Sequence, residues 1–344
     1  MAKVRVMSGM RPTGPLHLGH LFGVLTNWVR MQEEYDCFFA IADWHALSTG
    51  SCDTSQLRNH TLEVLLDWLA AGVDPKKATI FVQSAIPEIA ELALLLSMIT
   101  PLGWLQRNPS VREQIVELQL DEERIGYGLV GYPVLQAADI LLFAGERVPV
   151  GKDQLPHLEL TRDIARRFNR WYGEIFREPE PLLTTTPAVP GIDGRKMSKS
   201  YGNTVRLAAT SEELENQLMT AITDPGRQRR YDPGYPEICT IFAYWQMHAA
   251  PAAQQVALTC RLGTLGCVED KRNFAAYLGD FLAPLQERRE YYAARPDLLE
   301  EILQAGNRHA RRIAQEMIKR VREAMQLNDF REYGQTPTPA ENLG

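Results

Sequence analysis

The sequence predicts an α/β fold, a doubly wound parallel sheet followed by an all-helical C-terminal domain. Three observations carry this. Short apolar runs alternate with amphipathic helical segments through the first half of the chain. Strand signals stop after Gly202. From there to Met325, helical periodicity dominates. With 344 residues, 45% hydrophobic and 23% charged, the chain is long enough for two cores and fits neither a disordered nor a collagen-like composition.

Val4 to Met7 reads as a first buried strand, and Cys37 to Ala42 as a second. Asp53, Thr54 and Ser55 then supply N-cap chemistry for a helix in which Leu62, Leu65, Leu66 and Leu69 fall on one face, closed by Gly72. Ala78 to Val82 is a third strand, and Glu88 to Ile99 the next helix. Repeated β-α-β units place ligands at the carboxyl ends of the strands. The pattern GxGxxG is absent, so no dinucleotide cofactor is expected. Pro179 to Pro190 interrupts the alternation, and a domain boundary is placed near residue 206. Helices are then expected at Ser211–Ala221, Thr240–Met247, Ala252–Leu262, Lys271–Glu290 and Pro296–Met325, with a frayed tail from Asn328.

Charge and hydropathy narrow the function classes. No apolar run reaches the length of a membrane span, and Met1 to Val6 lacks a signal-peptide core, so a cytoplasmic protein with no membrane partner is expected. A net charge of −6 gives no sign of DNA binding. Two basic clusters stand out locally: six Lys/Arg between Arg308 and Arg322, and Arg227, Arg229 and Arg230 in a separate loop. Each fits either an RNA contact or a solvated face.

Two short motifs carry the chemistry. Pro15-Leu16-His17-Leu18-Gly19-His20 sets two imidazoles one turn apart at a helix start, where free N–H groups and the helix dipole favour anions. Lys196-Met197-Ser198-Lys199-Ser200, flanked by Gly194 and Gly202, is a Lys/Ser-rich loop able to close over phosphates. In that order and setting they resemble the HxGH and KMSKS signatures of class I aminoacyl-tRNA synthetases. Between them, Asp139 is the one acid in an apolar helix, Tyr132 to Leu142. Such a carboxylate needs a donor: a backbone N–H or an Arg within the chain, or the indole N–H or phenol O–H of a ligand.

The text around Asp139 resembles bacterial tryptophanyl-tRNA synthetases, from about Val4 to about Met325. Tyr132-Pro133, Ala137-Ala138-Asp139-Ile140-Leu141-Leu142, Val148-Pro149-Val150-Gly151, Asp153-Gln154 and His157 to Asp163 carry the likeness, with Met7 where tyrosyl relatives place a Tyr. The resemblance implies a Rossmann-like catalytic domain over 1–206 and a helical anticodon-binding domain over 207–344. It implies ATP contacts at Arg11, Pro12, Thr13, Gly19, His20, Gly151, Lys152, Asp153, Val189, Lys196, Met197, Ser198, Lys199 and Ser200. His17, His20, Lys196 and Lys199 would be catalytic. Gly9, Tyr132, Gln136, Asp139 and Gln154 would form the amino-acid site, and His45 would face it. Gln136, Lys152, Arg11 and Gln114 depart from the commonest family residues.

The same resemblance implies a two-step reaction with Mg-ATP, L-tryptophan and tRNA(Trp), without a covalent enzyme intermediate, in a homodimer. The alternatives are a tyrosyl enzyme, a synthetase-like protein that charges no tRNA, or a nucleotidyltransferase without an RNA partner. The remaining motif is Cys239, Cys260 and Cys267, spaced C-x20-C-x6-C, with Asp270 after two further residues. It resembles the four-cysteine iron–sulfur site of a subset of the family, with Asp270 in the place of the fourth cysteine. A [4Fe-4S] cluster held by three thiolates and a carboxylate, or three free cysteines, are the two readings. Cys37 and Cys52 read as ordinary core or loop residues.

Overall fold

The computed structural model describes residues 3–48, 53–118, 122–151, 154–183 and 189–327. Five strands form one sheet: β1 (Arg5–Met10), β2 (Asp36–Ile41), β3 (Ala78–Val82), β4 (Arg147–Val150) and β5 (Glu180–Leu183). All pair in parallel in the order β3-β2-β1-β4-β5. In the central strands, alternate residues serve opposite faces. Cys37, Phe39 and Ile41 of β2 join one core, while Phe38 and Ala40 join the other. Burial on both sides is why these strands read as unbroken apolar runs. β4 and β5 give no strand signal in the sequence because each spans four residues and carries a proline, Pro149 or Pro181.

Helices cover both faces. From the first strand the chain turns through Leu18–His20 (α1) and a π-helical turn, Leu21–Leu25, into α2 (Thr26–Glu34). Then come α3 (Asp43–Leu47), α4 (Leu57–Ala71), α5 (Pro87–Ile99), α6 (Leu102–Gln106), α7 (Pro109–Glu117), α8 (Tyr127–Leu142) and α9 (Leu155–Tyr172). α4 ends where expected, with Gly72 at φ +105°, a conformation that glycine adopts freely. α5 starts with Pro87 in its first turn, where no N–H is required.

Beyond residue 206 the described residues contain helices and turns: α10 (Ser211–Met219), α11 (Thr240–His248), α12 (Ala250–Arg261), α13 (Cys267–Ala293) and α14 (Pro296–Ala324). Thr210 and Glu213 cap α10 reciprocally, at 3.2 and 2.9 Å. Ile241, Tyr244, Phe274, Leu278 and Leu282 extend the same core as Trp28 and Trp68, whereas Ala310, Ala314, Met317, Ile318 and Val321 of α14 join the other. α14 lies along the edge strand β3. A Cβ at Gly306 would stand 1.7 Å from the Ile80 carbonyl oxygen, and Asn307 Oδ1 accepts the Val82 N–H at 2.9 Å. The exposed edge of the sheet is thus closed by a helix. Among the described residues, no helix is long and apolar enough to cross a membrane.

Candidate active site

The strand order reverses between β1 and β4, and the carboxyl ends of β1, β2 and β3 point the same way, which is where a parallel sheet binds its ligands. The exit of β1 carries the His17–His20 turn. The Leu18 N–H is held by Val205 O at 3.0 Å and the Leu207 N–H by Leu16 O at 3.1 Å, so the segment just after the lysine loop clasps this turn. The His17 N–H donates to His20 Nδ1 at 3.3 Å, and the two rings lie 3.8 Å apart. A Cβ on Gly19 would meet the His17 ring at 3.0 Å, so the glycine makes room for that imidazole, while Met197 Cβ, at 3.8 Å, would be in ordinary contact. Burial pulls His17 down to about 4 and His20 down to about 2, each helped by Lys199 nearby. Both imidazoles are neutral at pH 7, so they offer hydrogen bonds rather than charge.

The lysine loop folds as a tight reversal. Met197 N–H donates to Val189 O at 2.9 Å, and Gly194 takes φ +77°. Its centre is a residue that sequence reasoning missed. Asn203 is 1% exposed; its Oδ1 accepts the Ser198 N–H at 2.8 Å, while its Nδ2 donates to Asp193 Oδ1 at 2.7 Å and to Lys196 O at 3.2 Å. Lys199 Nζ reaches across to Gly14 O at 2.6 Å and Thr13 Oγ1 at 3.4 Å. Burial brings Lys199 down to about 8, against the pull of Asp67, and Arg11 adds to the lowering. Lys196 is exposed at the mouth, Met197 and Val189 are buried beneath it, and Pro12 is buried beside Thr13.

Asp139 is 6% exposed in α8, and its donors come from the ends of two other strands. His45 Nε2 lies 2.9 Å from its Oδ2, and Gln83 Nε2 donates to both oxygens at 2.9 Å. Gln83 Oε1 in turn accepts the His45 N–H at 3.3 Å, which fixes the direction of the amide. Asp43 Oδ1 accepts from Trp44 N and Ser84 N, at 3.1 and 2.9 Å, and so ties the exits of β2 and β3 together. Gln83 gave no sequence signal, since a lone Gln after a strand is common. An ionised carboxylate has about four acceptor positions, so these three contacts leave room for one more donor.

Other expected residues have varied settings. Tyr132 Oη and His157 Nε2 lie 2.8 Å apart, and burial pushes the phenol up. Gln136 and Gln154 are half-buried, and Gly151 O accepts the Gln154 N–H at 3.1 Å. A Cβ on Gly9 would stand 3.0 Å from Ala40 O, so the neighbouring strand already limits this position, whatever a ligand asks of it. Lys152, Asp153, Cys52 and the side chain of Ser200 lie outside the described residues.

Of the two readings of the cysteine motif, the cluster gains no support. Cys239, Cys260, Cys267 and Asp270 do line one small pocket, but with only about 10 Å³ of free space. Arg227 Nη1 sits 3.8 Å from Cys260 Sγ and 3.7 Å from Cys267 Sγ, placing a cation between the thiols. Asp270 Oδ1 is engaged by the Trp245 indole N–H at 2.9 Å. Burial pushes the Cys239 thiol up to about 11 and raises Cys260 and Asp270. Among the described residues no group of three or more His, Cys, Asp or Glu side chains is arranged to hold a metal ion. An iron–sulfur cluster finds no support in this arrangement. The basic run on α14 is also partly committed: Arg311 pairs with Glu88 at 3.1 Å, and Arg322 with Glu91 at 2.5 and 2.6 Å.

Comparison with known proteins agrees with this geometry. The family of tRNA synthetases class I (W and Y) matches residues 1–283. The tryptophan–tRNA ligase of Thermotoga maritima is 46% identical, aligned over 94% of this chain and 99% of that protein; that of Aquifex aeolicus is 44% identical over 94% and 100%. Among solved structures, tryptophanyl-tRNA synthetase from Campylobacter jejuni, complexed with ADP and tryptophan, superposes with a TM-score of 0.86 at 35% identity, covering 94% of this chain and all of that one. A tyrosyl-tRNA synthetase from Archaeoglobus fulgidus shares the fold, with a TM-score of 0.64 at 22% identity. A sheet that brings an HxGH turn under a KMSKS loop, and a match at this level over nearly the whole chain, lead to one conclusion: the chain belongs to the class I tRNA synthetases, in the tryptophanyl family.

Proposed function

We propose that this enzyme activates L-tryptophan with ATP and transfers it to the 3′ end of tRNA(Trp). The observation that carries the reading is Asp139, buried at the carboxyl edge of the sheet and oriented by His45 and Gln83 with acceptor capacity to spare. An indole N–H satisfies that acceptor. An amino acid without a donor leaves it unpaired in a low-dielectric site, which discriminates by factors of about 10⁴ or more.

In the first step the tryptophan carboxylate oxygen bonds to the α-phosphorus of ATP as the bond to the bridging β-phosphate oxygen breaks. Pyrophosphate leaves and tryptophanyl-adenylate remains. The transition state asks for positioning and charge neutralisation more than covalent help. Lys199, poised over Thr13 and Gly14, and Lys196 at the loop mouth meet the charge gathering on pyrophosphate. His17 and His20 contribute hydrogen bonds to phosphate oxygens. Mg²⁺ bound with ATP would add charge neutralisation at the phosphates, alongside Lys196 and Lys199. In the second step the terminal 2′-hydroxyl of tRNA attacks the activated carbonyl and AMP leaves.

We assign adenosine contacts to Gly151, Lys152, Asp153 and Val189, phosphate contacts to Ser198 and Ser200, further ATP contacts to Arg11, Pro12, Thr13, Gly19 and Met197, and the amino-acid site to Gly9, Tyr132, Gln136, Asp139 and Gln154. Residues 1–206 form the catalytic domain in this reading, and 207–344 carry the anticodon-binding helices. The enzyme works in the cytoplasm as a homodimer. The apolar face around Leu47, Leu94 and Tyr127, exposed by 42, 57 and 72% about a 320 Å³ cavity, favours a second copy there. The test is amino-acid-dependent ATP–pyrophosphate exchange without tRNA. Exchange driven by tryptophan is expected; exchange driven by tyrosine, or by neither, overturns the reading.

A further inference from the structure

One buried carboxylate near the HxGH turn takes no part in the chemistry proposed above. Asp67 of α4 is 1% exposed and bonded in two directions. Its Oδ2 accepts the backbone N–H of Leu16 at 3.1 Å, the residue immediately before His17. Its Oδ1 accepts Arg289 Nε, from the C-terminal part of α13, at 2.8 Å. Arg289 also pairs with Glu63, one turn back on α4, and the preceding residue, Arg288, donates to Ala70 O at 2.7 Å. α13 therefore grips α4 at two successive arginines, and one of these grips ends on the phosphate-binding turn.

We infer that Asp67 and Arg289 are positioning residues for the first step: they fix the His17–His20 turn from behind and couple it to the helical region. The inference rests on the reading that this turn holds the triphosphate. Few groups hold Leu16. It is fully buried, its N–H goes to Asp67, and its carbonyl goes to Leu207. A buried amide that loses its acceptor moves to find another. A shift near 1 Å at a residue bordering the histidines is enough to cost about 10²-fold in rate. Asp67 also supplies the negative charge felt by Lys199, so both halves of the phosphate site are referenced to it. Because Arg289 belongs to a helix that the proposed function assigns to tRNA binding, strain along α13 reaches the turn through the Arg289–Asp67 pair, beside the packing of Phe281 on Phe22.

The experiment uses the full-length enzyme and rates normalised to active sites titrated by the pyrophosphate burst. Asp67→Asn keeps the volume but cannot accept from both Leu16 and Arg289, because one side of the amide is a donor. Its tryptophan-dependent exchange kcat per active site is expected to fall about 10- to 100-fold, with KM for tryptophan nearly unchanged. Arg289→Gln is expected to lose less in exchange but more in tRNA charging. Glu63→Gln, which weakens the Arg289 pair without touching the turn, stays within about two-fold of wild type. A purely structural role predicts fewer active sites and a lower melting temperature but a normal rate per site. That result for Asp67→Asn overturns the inference, as does an Arg289→Gln enzyme that charges tRNA normally if Asp67→Asn does not fold. Absence of exchange in the wild type is a different outcome, which strikes the proposed function instead.

Discussion

Asp139 and Asp270 are both buried aspartates on helices, and they meet opposite fates. Asp270 accepts the indole N–H of the chain's own Trp245 at 2.9 Å, inside a pocket with about 10 Å³ to spare, beside a guanidinium that fills the space between two thiols. Asp139 is oriented by a histidine and a carboxamide at the open end of the sheet, and the indole it would serve is the substrate's. The helical region thus contains, as packing, the contact proposed as the basis of recognition. A carboxylate and an indole suffice for either job. What separates them is whether the partner is covalently present.

The comparison breaks most sharply at Asp139. Asp139→Asn is expected to lower kcat/KM for tryptophan in pyrophosphate exchange about 10³-fold, since the amide must now also be accommodated by Gln83 and His45. Asp270→Asn leaves exchange within about two-fold. If both variants lose activity equally, the distinction fails. Next in size is Lys199→Ala, expected to cost about 10²-fold in exchange rate by removing a cation from the leaving pyrophosphate. Asn203→Ala, which frees the loop at the Ser198 amide, makes a smaller loss and raises KM for ATP.

Legibility in the sequence tracks distance along the chain. The HxGH turn, the lysine loop, the first three strands and the Gly72 stop are local patterns, and the structure places them close to where the sequence puts them. The residues that complete the site are not local. Gln83 meets Asp139 and Arg289 meets Asp67 only because the sheet and α13 fold them together. Asn203 is near the loop it organises, but an Asn after a Gly reads as an ordinary turn residue. The cysteines show the opposite failure. Their spacing was legible, but the wedge of Arg227 and the prior engagement of Asp270 were not. Spacing states who can meet, and only the fold shows who is already occupied.

Asp270→Asn itself sharpens the structural half of the comparison. Loss of a buried charged acceptor for Trp245 is expected to destabilise the enzyme by about 1–2 kcal/mol in denaturant unfolding, with a change in Trp245 fluorescence. Iron and acid-labile sulfide should be far below stoichiometric in enzyme purified without oxygen, and chelators should leave unfolding unchanged. A stoichiometric brown chromophore would mean that Arg227 withdraws and that Asp270 releases Trp245 for a cluster.

The smallest effect tests the packing beside that pair. His248 packs against Phe22 and Phe274, the latter also in contact with Trp245, and neither ring nitrogen has a hydrogen-bond partner among the described residues. Burial lowers its pKa to about 4 from the ordinary 6.5. Between those values the unfolded chain binds the proton that the folded one refuses, so stability is complete above about pH 6.5 and falls as the pH drops toward 4. Asp270, whose carboxyl is raised by burial, works with the opposite sign: its ionisation disfavours the fold as pH rises above the ordinary carboxylate value. A single-site contribution from His248 is at most about 3 kcal/mol, and the two titrations partly offset each other. His248→Phe, which keeps an aromatic ring among Phe22, Phe274 and Phe281, is therefore expected to flatten unfolding free energy against pH between 4 and 6.5, and Asp270→Asn to steepen it. If His248→Phe leaves the slope unchanged, the acid sensitivity of this region lies elsewhere, and the neutral histidines of the HxGH turn become the groups to replace next.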